Sequence, residues 1–136
     1  MSEANKEVVR RFNIEVIQNG NVAAFHALIS PRFINHSAPA GTPNGPESMW
    51  NTFHTVLRPA LSNLTITIHD QVAEADKVTT RKTIGGMHSG ALLGIEPTGR
   101  EVAIDVIDIV RLEDGRYAEH WGLNTLSNVI AALSKT

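Results

Sequence analysis

Two aspartates interrupt the most apolar stretch of the chain, residues 101–112 (EVAIDVIDIVRL). In a β-strand, side chains alternate between the two faces, so Asp108 shares a face with Val102 and Val110, while Asp105 lies on the other. A carboxylate among apolar neighbours is costly when unpaired, so its pKa should rise and a partner or a catalytic task is expected. Both faces cannot form the pocket, so at least one aspartate should be structural, paired with Arg or Lys across the sheet. Which of the two faces the pocket stays open.

His120 is the candidate partner of Asp108. A typical hairpin turn begins at Asp114, and pairing around it brings residues near 108–110 opposite residues near 119–121. If the two side chains meet across the strands, the carboxylate orients the imidazole as an acid/base group working near neutral pH. The alternative is a core histidine satisfied by a single hydrogen bond.

Two more histidines lie beside flexible segments. His36 follows Asn35 at the start of a loop, residues 37–46, that contains three Pro and two Gly. His88 follows a glycine pair at the end of a predicted strand. Both positions suit a pocket mouth, and the alternative for each is a surface or capping role. The remaining histidines are given no function: His26, His54 and His69.

Composition excludes several kinds of chemistry. The chain has no cysteine, which rules out disulfides, thiolate nucleophiles and iron–sulfur clusters. No histidine spacing fits a metal site, no glycine-rich phosphate loop opens a helix, and no nucleophile elbow is present, so neither a metal nor a cofactor is expected. The 12 basic and 14 acidic residues leave a net charge of −2, which argues against nucleic-acid binding. We expect a cytoplasmic protein with no membrane partner, because no signal peptide or membrane span is recognisable.

These residues need a scaffold, and 136 residues suffice for one domain, residues 1–136. Apolar periodicity predicts three helices in the first half: 3–18, a short one after Asn21 that ends at Pro31, and one from Pro46 to Pro59. Four strands and a closing helix follow: 64–69, 78–88, 101–112, 116–123, and the helix from Leu126 to Leu133. The order predicts an α+β domain with an antiparallel sheet. Gly85 and Gly86 predict a bulge or bend, and a sheet bent around a helix leaves a cone-like cavity.

Several of these motifs occur together in one known family. They are Gly86-x-His88-x-Gly90, Gly94-Ile-x-Pro97-Thr-Gly99, Asp108, Asp114-Gly115, Glu119-His120-Trp121, Gln18-Asn19-Gly20-Asn21 and Phe33-Ile-Asn-His36. With them the chain resembles the SnoaL-like polyketide cyclases of the nuclear transport factor 2-like (cystatin-like) superfamily. The resemblance implies a cone-shaped α+β barrel, a homodimer packed through the sheet, and ring closure by intramolecular aldol condensation with an acid/base side chain and no metal.

One position departs from that family. The polyketide cyclases carry an acidic residue directly after the His-Trp pair, where this chain has Gly122. The resemblance therefore implies that the principal acid/base group is missing or has moved. Asp108 and His120 remain as candidates, with His36 and His88 reaching in from the rim.

Two functional hypotheses follow. The first is a cofactor-independent lyase or isomerase of the polyketide cyclase type, acting on a small apolar or polycarbonyl molecule with Asp108 and His120 as the acid/base pair. Its expected substrate-binding residues are Asn35, His36, Trp50, Phe53, Met87, His88 and Trp121. The second is a non-catalytic domain of the same fold that binds a small ligand. An ion pair between Asp108 and Arg81 or Lys82 would favour the second.

Overall fold

The computed structural model describes residues 2–135. The helices are α1 (Ser2–Arg11), α2 (Val22–Leu28), α3 (Pro46–Trp50) and α4 (Leu126–Leu133). Two of them continue as wider π-helical segments, α1 into Phe12–Gln18 and α3 into Asn51–Leu57 with a last α-turn Arg58–Ala60. The strands are β1 (Ile29–Asn35), β2 (Leu61–Glu74), β3 (Lys77–His88), β4 (Glu101–Glu113) and β5 (Arg116–Asn124). The predicted α+β class is confirmed.

One strand was not predicted. Residues Ile29–Asn35 form β1, where the sequence indicated only the end of a helix at Pro31. The sheet order is β1-β5-β4-β3-β2, so β1 is an edge strand. An edge strand tolerates Pro31, which has no backbone N–H to donate. Strand β1 pairs in parallel with β5, and the remaining pairs are antiparallel. The four predicted strands therefore form an antiparallel sheet as expected, and the unpredicted edge strand makes the whole sheet mixed.

Gly85 and Gly86 affect the course of the neighbouring strand, β2, rather than their own. The β3–β4 register runs without interruption through Gly85 and Gly86. The irregularity lies on β2, between Ser62 and Thr65. A Cβ at Gly86 would lie 3.0 Å from Leu61 Cβ and 3.1 Å from the Ser62 carbonyl oxygen. Because Gly86 has no side chain, β2 can pass close to β3 where the sheet bends.

The alternation predicted for β4 is present. Val102, Ile104, Val106 and Val110 are buried with Asp108, while Asp105 faces solvent. This inner face packs on α1 and its π-helical extension, where Phe12 is fully buried. The concave side of the sheet therefore carries both the core and Asp108.

Tyr117 provides a spectroscopic test of this packing. It is the single tyrosine of the chain and stacks on Phe12 with ring centroids 4.0 Å apart. Burial, and secondly the charge of Asp108, raise the pKa of Tyr117 well above its ordinary value. Since the folded state keeps the proton, this contribution to stability is complete below the unfolded pKa of about 10 and is lost as pH rises above it. We expect phenolate absorbance to appear together with alkaline unfolding. A separate transition near pH ~10 in protein that is still folded by circular dichroism would contradict this packing.

Candidate active site

A cavity of about 380 Å³ lies between the inner face of the sheet, the α3 segment and the loop after β1. Its walls are mostly apolar: Met49, Phe53, Val56, Leu57, Ile84, Ile104, Val106 and Leu126. Four polar side chains on its wall are buried: Asn35, Lys82, Asp108 and His120. The predicted residues Asn35, Phe53, Asp108 and His120 therefore meet at one cavity. Such a site is suited to a small, largely apolar ligand with a few polar contacts.

Asp108 is the only acidic side chain among the buried residues of the described chain, 2–135. Its Oδ2 lies 3.3 Å from His120 Nε2 and 3.4 Å from Lys82 Nζ. Its Oδ1 is buried and has no hydrogen-bond partner among the described residues. One carboxylate oxygen is thus engaged, while the other has its acceptor capacity unused.

The expected rise in the pKa of Asp108 does not occur. Burial by itself raises this pKa, but the Lys82 ammonium and the hydrogen bond from His120 outweigh it and hold the pKa below its ordinary value. Asp108 is therefore a carboxylate at neutral pH. Burial alone predicts a raised pKa, and pairing with Lys82, which the sequence left as an alternative, reverses the direction.

Asn35 determines which nitrogens of His120 carry protons. The backbone N–H of Ser37 donates to Asn35 Oδ1 at 3.0 Å, which fixes the orientation of the amide. The same oxygen lies 3.1 Å from His120 Nδ1, so Nδ1 must be a donor. A proton must also lie between Nε2 and the Asp108 carboxylate, because two acceptors at that distance would repel each other. The ring of His120 is thus held in place between the Asn35 amide and the Asp108 carboxylate.

The unpredicted strand β1 accounts for this geometry. In the parallel β1–β5 register, Asn35 lies directly beside His120. The backbone N–H of His36 donates to the carbonyl oxygen of His120 at 2.8 Å. The edge strand therefore aligns the amide with the imidazole.

Lys82 is a functional candidate that the sequence analysis considered only as a structural partner. It is 3% exposed, and Nζ donates to Asn13 Oδ1 at 2.5 Å. The amide of Asn13 is held in turn by a 2.9 Å hydrogen bond from Nδ2 to the Val9 carbonyl oxygen. The sequence does indicate that Lys82 faces inward, because alternation along β3 puts it on the same face as Val78 and Ile84.

The ion pair that was expected to favour a binding domain is therefore present, with Lys82 as the cation. Arg81, the other candidate, faces outward and pairs with Asp70 at 3.1 Å. Asp105, on the outer face, accepts a hydrogen bond from Thr83 at 2.9 Å. Of the two aspartates, Asp108 faces the cavity and Asp105 does not.

His36 and Trp121 lie outside this cavity, contrary to the expectation. Their rings stack with centroids 4.7 Å apart on the outer side, and His36 Nε2 lies 3.0 Å from a carboxylate oxygen of Glu119. Strand alternation is the reason: because Asn35 and His120 point inward, the residues that follow them point outward.

Trp50, Met87 and His88 are also outside it. Trp50 borders a second cavity of about 570 Å³ beside Phe25, because one residue along a helix rotates it away from the direction of Met49. Met87 borders a shallow groove at the bend of the sheet. His88 is fully buried with Nδ1 accepting from the Thr98 N–H at 3.2 Å, which indicates a structural role.

Two further observations concern the described residues, 2–135. Within them no group of three His, Asp or Glu side chains is arranged to hold a metal ion. None of their helices is both long and apolar enough to cross a membrane.

A curved five-stranded sheet packs on N-terminal helices and encloses a cavity that contains buried polar side chains. This architecture is the nuclear transport factor 2-like fold, which defines the class of this protein. The chain belongs to the SnoaL-like polyketide cyclase family, whose sequence model matches residues 7–133. The family resemblance and the cone-shaped α+β prediction are thereby confirmed.

Solved structures agree with this assignment. TsrD from Streptomyces laurentii has a TM-score of 0.85 and 25% identity, covering 98% of this chain and 97% of that one. IdmH from Streptomyces antibioticus, a proposed polyketide cyclase, has a TM-score of 0.83 and 26% identity, covering 96% and 99%. An LEH-like epoxide hydrolase from M. tuberculosis shares the fold alone, with a TM-score of 0.71 and 14% identity over 97% and 90%. A search of the curated proteins finds no match.

Proposed function

We propose that this protein is a cofactor-independent acid/base enzyme that removes a proton next to a carbonyl group of a small polycarbonyl molecule. One observation carries the proposal: Asp108 lines a mostly apolar cavity, and its buried Oδ1 has no hydrogen-bond partner among residues 2–135. A pocket that only holds an apolar ligand has no need of such an oxygen. Aldol cyclisation, the reaction that the family name implies, begins with this proton transfer, as do lyase and isomerase reactions of the same type.

The reaction follows from the charges of the site. Oδ1 of Asp108 accepts the proton, and the electron pair of the broken C–H bond becomes an enolate on the substrate. A carboxylate with a lowered pKa is a weak base, so the proton must be acidic, as it is between two carbonyl groups. In an aldol step, the enolate carbon then bonds to a second carbonyl carbon. His120, whose Nε2 lies beside Asp108, then passes a proton to the alkoxide that this bond formation creates.

A panel of 1,3-dicarbonyl compounds, some with a further carbonyl group placed for ring closure, tests the proposal. Exchange of the α-protons in deuterated water, and formation of cyclised product, are followed by proton NMR with and without the protein. Faster exchange or cyclisation than in buffer is the expected result. Compounds that raise the melting temperature while remaining chemically unchanged would speak against it.

A non-catalytic ligand-binding domain is the second candidate. The Lys82–Asp108 ion pair supports it, because a paired carboxylate is the state expected of a structural residue. The same panel separates the two functions, since a binding domain yields thermal stabilisation without conversion for every compound.

We also propose a homodimer formed through the outer face of the sheet. On this face, four apolar side chains form a patch that we call the outer patch: Ile107, Ile109, Trp121 and Leu123. Ile107 is 53% and Leu123 82% exposed, and the two lie directly opposite each other on β4 and β5. An exposed apolar patch of this kind is typical of a protein–protein interface.

The dimer prediction is tested by charge. We expect the wild-type protein to be a dimer. Replacing both Ile107 and Leu123 by lysine places two ammonium groups in the outer patch, so this double variant should be a monomer. Mass is measured by size-exclusion chromatography with light scattering. Leu93→Lys is the matched control, because Leu93 is equally exposed but lies in the loop before β4. A monomeric wild type, or a double variant that stays dimeric, would contradict the prediction.

A further inference from the structure

Lys82 has more capacity than its two protein contacts use. A lysine ammonium carries three N–H donors. Among the described residues, one reaches Asn13 Oδ1 and a second faces Asp108 Oδ2. The third has no protein partner there, and Lys82 lines the cavity. The site therefore offers a charged donor to a ligand beside the free oxygen of Asp108.

The two unused groups match the two ends of an enolising carbonyl. Oδ1 of Asp108 is a buried acceptor without a donor, and Nζ of Lys82 is a donor within 3.4 Å of the same carboxylate. We infer that Lys82 is a catalytic residue that binds the carbonyl oxygen of the substrate and the enolate oxygen formed from it. The inference rests on the proposed function and names the group that stabilises its intermediate.

The negative charge stays next to the Lys82 ammonium when the proton is transferred. Before proton transfer, the negative charge is on Asp108, and afterwards it is on the enolate oxygen, while the carboxyl group is neutral. Lys82 lies beside both positions, so its ammonium faces one negative charge throughout. In a buried apolar cavity such an interaction is stronger than in water, and a donor already in place requires no reorganisation.

Asn13 gives the ammonium a fixed position. Its amide is anchored to the Val9 carbonyl oxygen, so Oδ1 is oriented towards Lys82 and competes with Asp108 for the ammonium. Asn13 lies in the π-helical segment that continues α1, and π-turns frequently occur at functional sites. The amide therefore positions the ammonium, while Lys82 itself contacts the substrate oxygen.

Binding of 4-nitrophenol tests the inference without any turnover. The phenolate is a planar oxyanion that resembles an enolate, and its visible absorbance distinguishes it from the phenol. In the wild-type protein the Asp108 carboxylate repels the phenolate, so Asp108→Asn, which is neutral at this position, is the variant that matches the enolate complex. We expect Asp108→Asn to bind the phenolate about tenfold more tightly than the phenol, as one charge-assisted hydrogen bond provides. In this background, Lys82→Met should abolish the preference, and Lys82→Arg should retain most of it. Lys77→Met, an exposed lysine on the same strand, should have no effect.

Asp108→Asn makes the sharpest distinction. Removal of the neighbouring negative charge frees the ammonium, so phenolate binding should tighten in the same variant that loses turnover. The Lys82 variants are made in the Asp108→Asn background, so that no unpaired carboxylate is left beside the lost ammonium. Equal binding of phenol and phenolate by Asp108→Asn, undetectable binding, or a preference that survives loss of Lys82 overturns the inference. Because phenolate binding is measured without any reaction, the inference about Lys82 can fail while Asp108 proves essential for turnover. Equally, phenolate binding can depend on Lys82 while Asp108 proves dispensable for turnover.

Discussion

Asp108→Asn is expected to lower turnover about a thousandfold, because asparagine keeps the shape of the side chain but cannot accept the substrate proton. The loss should appear in kcat, since the apolar walls that bind the substrate are unchanged. The measurement is α-proton exchange or cyclisation of whichever dicarbonyl compound the wild-type protein converts. Circular dichroism and thermal unfolding verify that the variant is folded.

Asp105→Asn is the matched control for this experiment. The residue lies on the same strand as Asp108, but it is exposed on the outer face and hydrogen-bonds Thr83. Its replacement should leave turnover within about twofold of the wild type, as is usual for surface changes of ±0.5 kcal/mol. Unchanged turnover in Asp108→Asn, or equal losses in both variants, would rule out Asp108 as the base.

The pKa of Asp108 also determines the pH at which activity fails. A general base works above its pKa, and the pKa of Asp108 lies below its ordinary value because Lys82 and His120 outweigh burial. The acid limb of kcat/KM should therefore lie below pH ~4. Stability follows the same sign: the contribution of the ionised carboxylate is present above the unfolded pKa and is lost as pH falls through the folded one.

Gly122→Ala is expected to lower turnover about tenfold, and Gly122→Val about a hundredfold, by displacing His120. Gly122 lies directly opposite Asp108 on the paired strand. A Cβ at this position would lie 3.0 Å from Cε1 and 3.2 Å from Nε2 of His120. Because Asn35 and Asp108 hold the ring at its two nitrogens, it can make room only by weakening one of these contacts.

Gly85→Ala controls for the loss of a strand glycine. A Cβ there meets the Val102 carbonyl oxygen at 3.7 Å, an ordinary contact, so turnover should not change. NMR of the His120 ring protons reports the displacement directly. Wild-type turnover in Gly122→Val, with the ring signals unshifted, would show that the His120–Asp108 contact does not depend on this glycine.

The position of Gly122 also bears on the departure from the family pattern. An acidic side chain at 122 would project towards the space beside Asp108, because the two positions are directly paired on β4 and β5. Asp108 therefore provides a carboxylate in the region where the family's acid is expected.

Local pattern determined much of this protein. The period-two alternation of residues 101–112 placed Asp105 and Asp108 on opposite faces, and the Asp114 turn predicted that His120 lies near Asp108. Side-chain direction along a strand is a property of the backbone, so it needs no knowledge of the rest of the fold. The family motifs added the cone-shaped architecture, which the comparisons confirm.

Tertiary structure decided which neighbours each of these residues received. The parallel pairing of β1 with β5 brings Asn35 to His120 across 85 positions of sequence, and packing of the first helix on the sheet brings Asn13 to Lys82 across 69. Neither contact leaves a local signal, because both depend on long-range pairing of elements. Alternation along the strands turns His36 and Trp121 outward, and rotation along the helix turns Trp50 towards another cavity. The sequence by itself thus determined that Asp105 and Asp108 lie on opposite faces of the strand. Only the folded sheet shows that Asp108 is the inner one, and its charge state depends on a lysine and a histidine that the same sheet brings together.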